Sequence, residues 1–267
     1  MTTHGFGWRP QLGDARDIHF AAPVALLQNL PAQIDLTAQC PPVYDQGQLG
    51  SCTANAIGGA FEFSLIKQGL QDFVPSRLFI YYYERVLEHT VHSDSGAALR
   101  DGMKVVNTHG ACPETEWPYD IHKFTNTPPK QCRIDALKEH VLSYRSITQD
   151  LAQMKACLAS GLPFVFGISV YQSFLDASDG NIPMPMTTAN DKPLNEGHAI
   201  LAVGYDDAKQ VFLFRNSWGT TWGNQGYGTI PYGYLTSSDA SDFWSIDVIG
   251  GGIKAMLAAF DEARKAS

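Results

Sequence analysis

The chain has 267 residues, 44% of them hydrophobic and 17% charged, enough to bury a core in one large domain or two small ones. A formal net charge of -8 argues against nucleic acid or an anionic membrane as the main partner. No apolar run is long enough to span a bilayer, and the N-terminus has neither the basic nor the apolar stretch of a secretory signal.

The first stretch, to about Pro31, is rich in Pro, Gly and Asp and reads as an extended arm. Ser51 to Gly69 is predicted to be a helix. Ser51 is placed to cap it, Ile57, Phe61 and Leu65 recur along one face, and Gly69 supplies a stop. Further helical patterns cover Ser76 to about Glu88 and Gly96 to about Thr108. A shorter one runs from Leu151 to Ala159. From there strands dominate. Phe164 to Val170 is an apolar run of the buried-strand kind, and His198–Tyr205 and Val211–Phe214 are joined by a polar turn. Tyr227–Ile230 and Phe243–Val248 complete the strand segments, and the tail after Gly250 reads as a solvated terminal helix. The expected organisation is α+β: an arm (1–31), a mainly helical subdomain (32–145), a β-rich subdomain (146–249) and a tail helix (250–267). A cleft between two such halves is the natural seat for an extended ligand.

Three separated residues carry the chemistry. Cys52 falls in the first turn of the predicted helix, in Gln46-Gly47-Gln48-Leu49-Gly50-Ser51-Cys52. Free N–H groups and the helix dipole there favour a thiolate, the nucleophilic form of cysteine. The same N–H groups, with the Gln46 side-chain amide, are suited to stabilise an oxyanion. His198 opens a strand and is suited to exchange protons near neutral pH. Asn216 follows the next strand, and its amide oxygen can hold an imidazole N–H, with Trp218 keeping water from that bond. Nucleophile, base and orienter together make a covalent acyl-transfer catalyst.

At these positions the sequence resembles the papain family of cysteine peptidases. The matching stretches are Gln46 to Cys52, Gly197-His198-Ala199, Val203-Gly204-Tyr205, and Asn216-Ser217-Trp218-Gly219 on through Trp222-Gly223 and Gly226-Tyr227-Gly228. The resemblance runs from about Pro31 to Val248. It implies a papain-like two-subdomain fold, with a helical half, an antiparallel barrel-like half and the active site in the cleft between them. It also implies peptide-bond hydrolysis through an acyl-thioenzyme on Cys52, with Cys52 and His198 resting as a thiolate–imidazolium pair. Asn216 would orient His198, Gln46 and the Cys52 N–H would form the oxyanion hole, and Trp218 and Trp222 would support the site. Ser95, Gly96, Gly167, Glu196 and Gly197 would meet the substrate. Peptide or protein substrates, a monomer and no cofactor are implied, and His89, His92 and Asp94 read as a solvated loop rather than a metal site.

The departures are equally specific. Leu49 and Thr53 stand where the family usually has Cys and Trp, so one customary disulfide is missing. The five cysteines, an odd and sparse set, favour a cytoplasmic over a secreted setting. Cys112 and Cys132 flank Trp117-Pro118-Tyr119 and are either paired or two small core residues; Cys40 has no evident partner. In place of a long helical prodomain there is a short leader, as in a bacterial branch of the family. Residues 1 to about 31 are expected either to lie across the cleft as an intramolecular inhibitor or to pack on the back of the domain.

Overall fold

The computed structural model describes residues 4–186 and 191–251. In chain order the elements are α1 (Val24–Leu27), β1 (Gln33–Asp35), α2 (Cys52–Lys67), α3 (Arg77–Leu87), α4 (Leu99–Thr108), α5 (Lys130–Ala136) and β2 (Glu139–Ser146). There follow α6 (Leu151–Ala159), β3 (Phe164–Tyr171), α7 (Gln172–Asp176), β4 (Pro193–Asp206), β5 (Val211–Arg215), β6 (Tyr227–Pro231), α8 (Tyr232–Leu235) and β7 (Ala240–Gly251). The expected tail helix lies outside the described residues, apart from Gly250 and Gly251, which end β7.

The strands form one antiparallel sheet in the order β2-β7-β3-β4-β5-β6, with β1 added alongside β4. The α+β architecture read from the sequence, a helical half followed by a sheet half, is the one observed. Helix α2 is the hinge between them. Its residues from Cys52 to Leu65 are buried, because it is packed against α3 and α4 on one side and β4 and β7 on the other. Such all-round burial explains why the helix is apolar on most faces rather than amphipathic. Gly59 admits the Arg215 guanidinium, whose Nη1 would be 2.6 Å from any Cβ placed there.

The end of α2 follows the sequence reading. Gly69 takes φ +64. The N–H of Gly69 reaches the Ile66 carbonyl at 3.1 Å and that of Leu70 the Leu65 carbonyl at 3.0 Å, closing the last turn. The start does not. Ser51 makes no side-chain cap; its hydroxyl pairs with the Tyr119 hydroxyl at 2.5 Å and accepts from the Asn55 amide at 3.1 Å. The pull of Tyr119 outcompetes a local cap and leaves the first N–H groups of α2 facing the cleft. Cys112 and Cys132 are joined as a disulfide, their Cα atoms 5.4 Å apart, while Cys40, Cys52 and Cys157 are free thiols.

Candidate active site

Cys52 begins α2, and His198 lies in β4 opposite Ile168 of β3. Asn216 directly follows β5. The backbone N–H of Ala199, the residue after His198, faces the Cys52 sulfur, so β4 carries His198 to the start of α2. His198 Nε2 and Asn216 Oδ1 are 2.8 Å apart. The Ser217 N–H donates to the same Oδ1 at 2.8 Å, which fixes that atom as the carbonyl oxygen. Nε2 must therefore carry the proton. Nδ1 is left with its lone pair, buried and without a hydrogen-bond partner.

Aromatic rings shield this bond. Trp218 stacks on His198 with centroids 4.9 Å apart, and Trp222 meets Trp218 edge-on at 5.5 Å. Phe174, on α7, meets both His198 and Trp218 edge-on, at 5.9 and 5.5 Å. Nothing in the periodicity around Phe174 marks it as part of this wall.

Gln46 is held by the opposite strand of chain. Its N–H donates to the Ser217 carbonyl at 2.9 Å, and the Ser217 hydroxyl donates to its Oε1 at 2.5 Å. With Oε1 so occupied, the Nε2 amide is turned toward the cleft. The loop carrying Gln46 is pinned from beneath by Arg77. That guanidinium donates to the Asp45 carbonyl at 3.2 Å and to Asn55 at 3.0 Å, and pairs with Glu114 at 2.7 Å. Thr53, which replaces the customary Trp, donates its hydroxyl to Glu84 at 2.9 Å. Burial pushes that carboxyl up to about 8, so at neutral pH it remains largely protonated.

The cleft is filled by the protein's own N-terminal segment. The Gln46 Nε2 amide donates to the Gly5 carbonyl at 3.0 Å. His4 stacks on Trp218 at 4.6 Å, and Phe6 meets His198 edge-on at 5.8 Å. The N–H groups of Gly7 and Trp8 donate to the Gly197 carbonyl at 2.9 and 3.0 Å. On the opposite wall Ala97 N–H donates to Gly7 and Arg9 N–H to Ala97, at 2.8 and 3.0 Å. Trp8 lies against Gly167 and Gly197, and Gly7 against Gly96; a Cβ at any of these three glycines would collide with the segment. Ser95, whose hydroxyl turns to Thr90, and Glu196 line a cavity of about 320 Å³ beside His4, Phe6 and Gly7. Each of the five expected substrate-contacting residues therefore borders this segment.

Burial in the filled cleft sets the electrostatics of the thiol and imidazole. Cys52 and His198 are both 0% exposed. Burial pushes the Cys52 thiol up to about 12 and brings His198 down to about 4. N–H groups of Ala199, Trp8 and Thr53 around the sulfur offset this only in part. In the covered state a neutral thiol and a neutral imidazole are favoured, in place of the thiolate–imidazolium pair expected from the family resemblance. The cause is burial, which removes water from both groups, and the covering segment shares in it with Trp218 and Phe174, which pack on His198 from the body of the protein.

Residues 30–241 match the family described as papain family cysteine protease. An uncharacterized peptidase C1-like protein of Acanthamoeba polyphaga mimivirus is 41% identical over 223 residues, 77% of this chain and 69% of that protein. A cathepsin L-like peptidase of Aedes aegypti is 26% identical over 85% of this chain and 68% of its own length. Among solved structures, xylellain, a cysteine protease from Xylella fastidiosa, superposes with a TM-score of 0.85 at 43% identity, over 92% of this chain and 97% of that one. Digestive procathepsin L2 of Tenebrio molitor shares the fold, with a TM-score of 0.72 at 23% identity over 91% and 77% of the two chains. From the match over residues 30–241 and the arrangement of α2 against the antiparallel sheet, the chain belongs to the papain family of cysteine proteases.

Proposed function

We propose that Cys52 is the nucleophile of this cysteine protease, that His198 is its base and then its acid, and that Asn216 orients His198. The observation that carries the reading is the bond between His198 Nε2 and Asn216 Oδ1, which leaves Nδ1 free to receive the thiol proton. Attack of the thiolate on a peptide carbonyl then gives an acyl-thioenzyme. The amine leaves with the proton held by His198, and water hydrolyses the thioester by the same exchange in reverse. Gln46 Nε2 and the Cys52 N–H hold the oxyanion. The Gly5 carbonyl, resting on that Nε2 amide, supports this assignment by standing where a substrate carbonyl would.

The same contacts support an inhibitory role for residues 4–9. They occupy the Gln46 donor, cover the thiol and pair with both walls of the cleft. Cys52→Ala should abolish both peptide turnover and labelling by a thiol-directed epoxide; activity that persists in that variant refutes the nucleophile assignment. Removal of residues 1–9 should raise turnover of a fluorogenic peptide. Equal turnover with and without them would rule out inhibition by the arm.

A further inference from the structure

The two groups assigned to the oxyanion, the Gln46 amide and the Cys52 N–H, sit at opposite ends of one loop. No cysteine lies between them: Leu49 stands where the family usually has Cys, and Gly47 takes φ +59, a conformation that favours glycine. The Gly50 N–H donates to the Asp94 carboxylate at 3.0 Å, which holds the loop near its middle. Its two ends are joined from the helical side.

The Tyr119 hydroxyl lies 3.0 Å from the Gln46 carbonyl and 2.5 Å from the Ser51 hydroxyl. A carbonyl only accepts, so the phenol proton goes to Gln46 and the Ser51 hydroxyl donates to Tyr119. Ser51 Oγ in turn accepts from Asn55 Nδ2 at 3.1 Å, and the same amide donates to the Ser51 carbonyl at 2.9 Å. Asn55 is fixed in this sense because its Oδ1 accepts from Arg77 Nη1 at 3.0 Å. Every bond then runs one way: Arg77 to Asn55, Asn55 to Ser51, Ser51 to Tyr119, Tyr119 to Gln46. Each donor is polarised by the one behind it, starting from a full positive charge. Arg77 also closes the circuit, since Nη1 donates to the carbonyl of Asp45, the residue before Gln46, at 3.2 Å. Its guanidinium lies between the rings of Tyr44 and Tyr119, 4.6 and 4.1 Å from their centroids. The loop bearing Tyr119 is tied to the start of α3 by Ser76, whose hydroxyl donates to the Trp117 carbonyl at 2.7 Å. Burial raises the Tyr119 phenol above its ordinary value, so it keeps the proton it donates.

We propose that Tyr119 is a positioning residue of this protease, setting the spacing of the two oxyanion donors by bonding the Gln46 carbonyl on one side and Ser51, the neighbour of Cys52, on the other. The inference rests on the assignment of Gln46 and the Cys52 N–H as those donors. A developing oxyanion needs both of them at about 2.7–3.1 Å at once. A shift of about 1 Å in either costs on the order of 10² in rate. Ser217 holds Gln46 from the sheet side through its carbonyl and its hydroxyl, and Tyr119 is the matching support on the helical side. By engaging the Ser51 hydroxyl, Tyr119 also keeps it from capping the N–H groups at the start of α2, which stay free for the oxyanion.

The test compares two reactions of Cys52 in the full-length protein and its variants. Hydrolysis of a fluorogenic peptide builds an oxyanion. Alkylation of Cys52 by iodoacetamide displaces iodide and builds none, and mass spectrometry of the Cys52 peptide separates it from reaction at Cys40 or Cys157. Both reactions require an open cleft, so occupancy of the cleft by residues 4–9 cancels in the ratio of kcat/KM to the alkylation rate constant. Tyr119→Phe keeps the ring on which Arg77 stacks and removes only the hydroxyl. It should lower that ratio by about 10-fold, against about 10²–10³ for Gln46→Ala, which loses a donor outright. Ser51→Ala, which breaks the relay one bond earlier, should lower the ratio in the same direction. The double variant Gln46→Ala/Tyr119→Phe should match Gln46→Ala to within about twofold, because no donor is left for Tyr119 to place. Equal falls in hydrolysis and alkylation would make Tyr119 a general structural support and overturn the proposal, as would losses that multiply in the double variant. If Gln46→Ala leaves the ratio unchanged, the oxyanion assignment fails and this proposal with it. If Gln46→Ala lowers the ratio and Tyr119→Phe does not, the positioning proposal alone fails.

Discussion

Trp8→Ala is the substitution that most directly measures the hold of the arm on the cleft. The indole lies against Gly167 and Gly197, almost wholly buried, with its Nε1 donating to Asp242 at 3.1 Å. A buried Trp covers roughly 150–250 Å², which at about 25 cal/mol per Å² corresponds to about 4–6 kcal/mol. Truncation to Ala retains the backbone bonds of Gly7 and Arg9 and admits water to the vacated hollow, so about 3 kcal/mol is the reasonable loss. That shifts the equilibrium between covered and open cleft by about 150-fold. The assay is initial turnover of a fluorogenic peptide by the full-length variant, before any chain is cut, set against enzyme lacking residues 1–9 as the ceiling. Turnover should rise by about two orders of magnitude or reach that ceiling, while Trp8→Phe falls between. The melting temperature should change little, because opening the arm does not expose the core. A Trp8→Ala enzyme as slow as wild type, beside a fast arm-deleted enzyme, would refute the assignment of the hold to this side chain.

Acid should open the arm. Burial in the filled cleft lowers His198 to about 4, against an ordinary value of 6.5, so opening that returns water to the ring is favoured as pH falls from 6.5 toward 4, and the ratio of full-length to arm-deleted turnover should climb over that window. His4, lowered by its own burial against Trp218, acts in the same direction, and a pH-independent ratio would contradict the account. Asn216→Ala leaves the His198 N–H buried without an acceptor, which costs about 1–3 kcal/mol; kcat of arm-deleted enzyme should fall about 5- to 150-fold, and an unchanged kcat would remove Asn216 from the machinery. Reduction of Cys112–Cys132, which closes a loop of sequence separation 20, should lower stability by about 3 kcal/mol in denaturant melts, with kcat of the folded enzyme retained.

The residues proposed for catalysis are legible because each sits in a short local pattern: Cys52 after a glycine-rich turn, His198 after a glycine at a strand, Asn216 ahead of Ser-Trp-Gly. What escaped the sequence depends on partners far along the chain. Strand β2 has little alternation, with only Val141 and Ser146 buried, and exists because β7 pairs with it. Strand β4 starts at Pro193, ahead of the predicted His198, although Asn195 takes φ +55; pairing with β3 overrides the loop-like composition. Ser51 reads as a cap until Tyr119, sixty-eight positions away, claims its hydroxyl. The partnership of Cys112 and Cys132 could not be chosen from spacing, and α5 decides it by laying Cys132 beside the loop that holds Cys112. The shifts of the thiol and imidazole were hidden for the same reason, since they follow from burial by residues brought in from distant parts of the chain.

The backbone of the arm is hydrogen-bonded to both jaws of the cleft at once. Gly7 donates to Gly197 on the sheet side and accepts from Ala97 on the helical side, and Arg9 returns a bond to Ala97. In mechanical terms residues 7–9 are a stitch across a seam. While the stitch is in place the width of the groove is set by the arm; once it is gone, that width is free to follow whatever peptide enters. The protein with its cleft covered should thus be a stiffer body than the same protein lacking residues 1–9, and amides along Gly96–Ala98 and Gly197–Ala199 should exchange their hydrogens faster once the arm is removed.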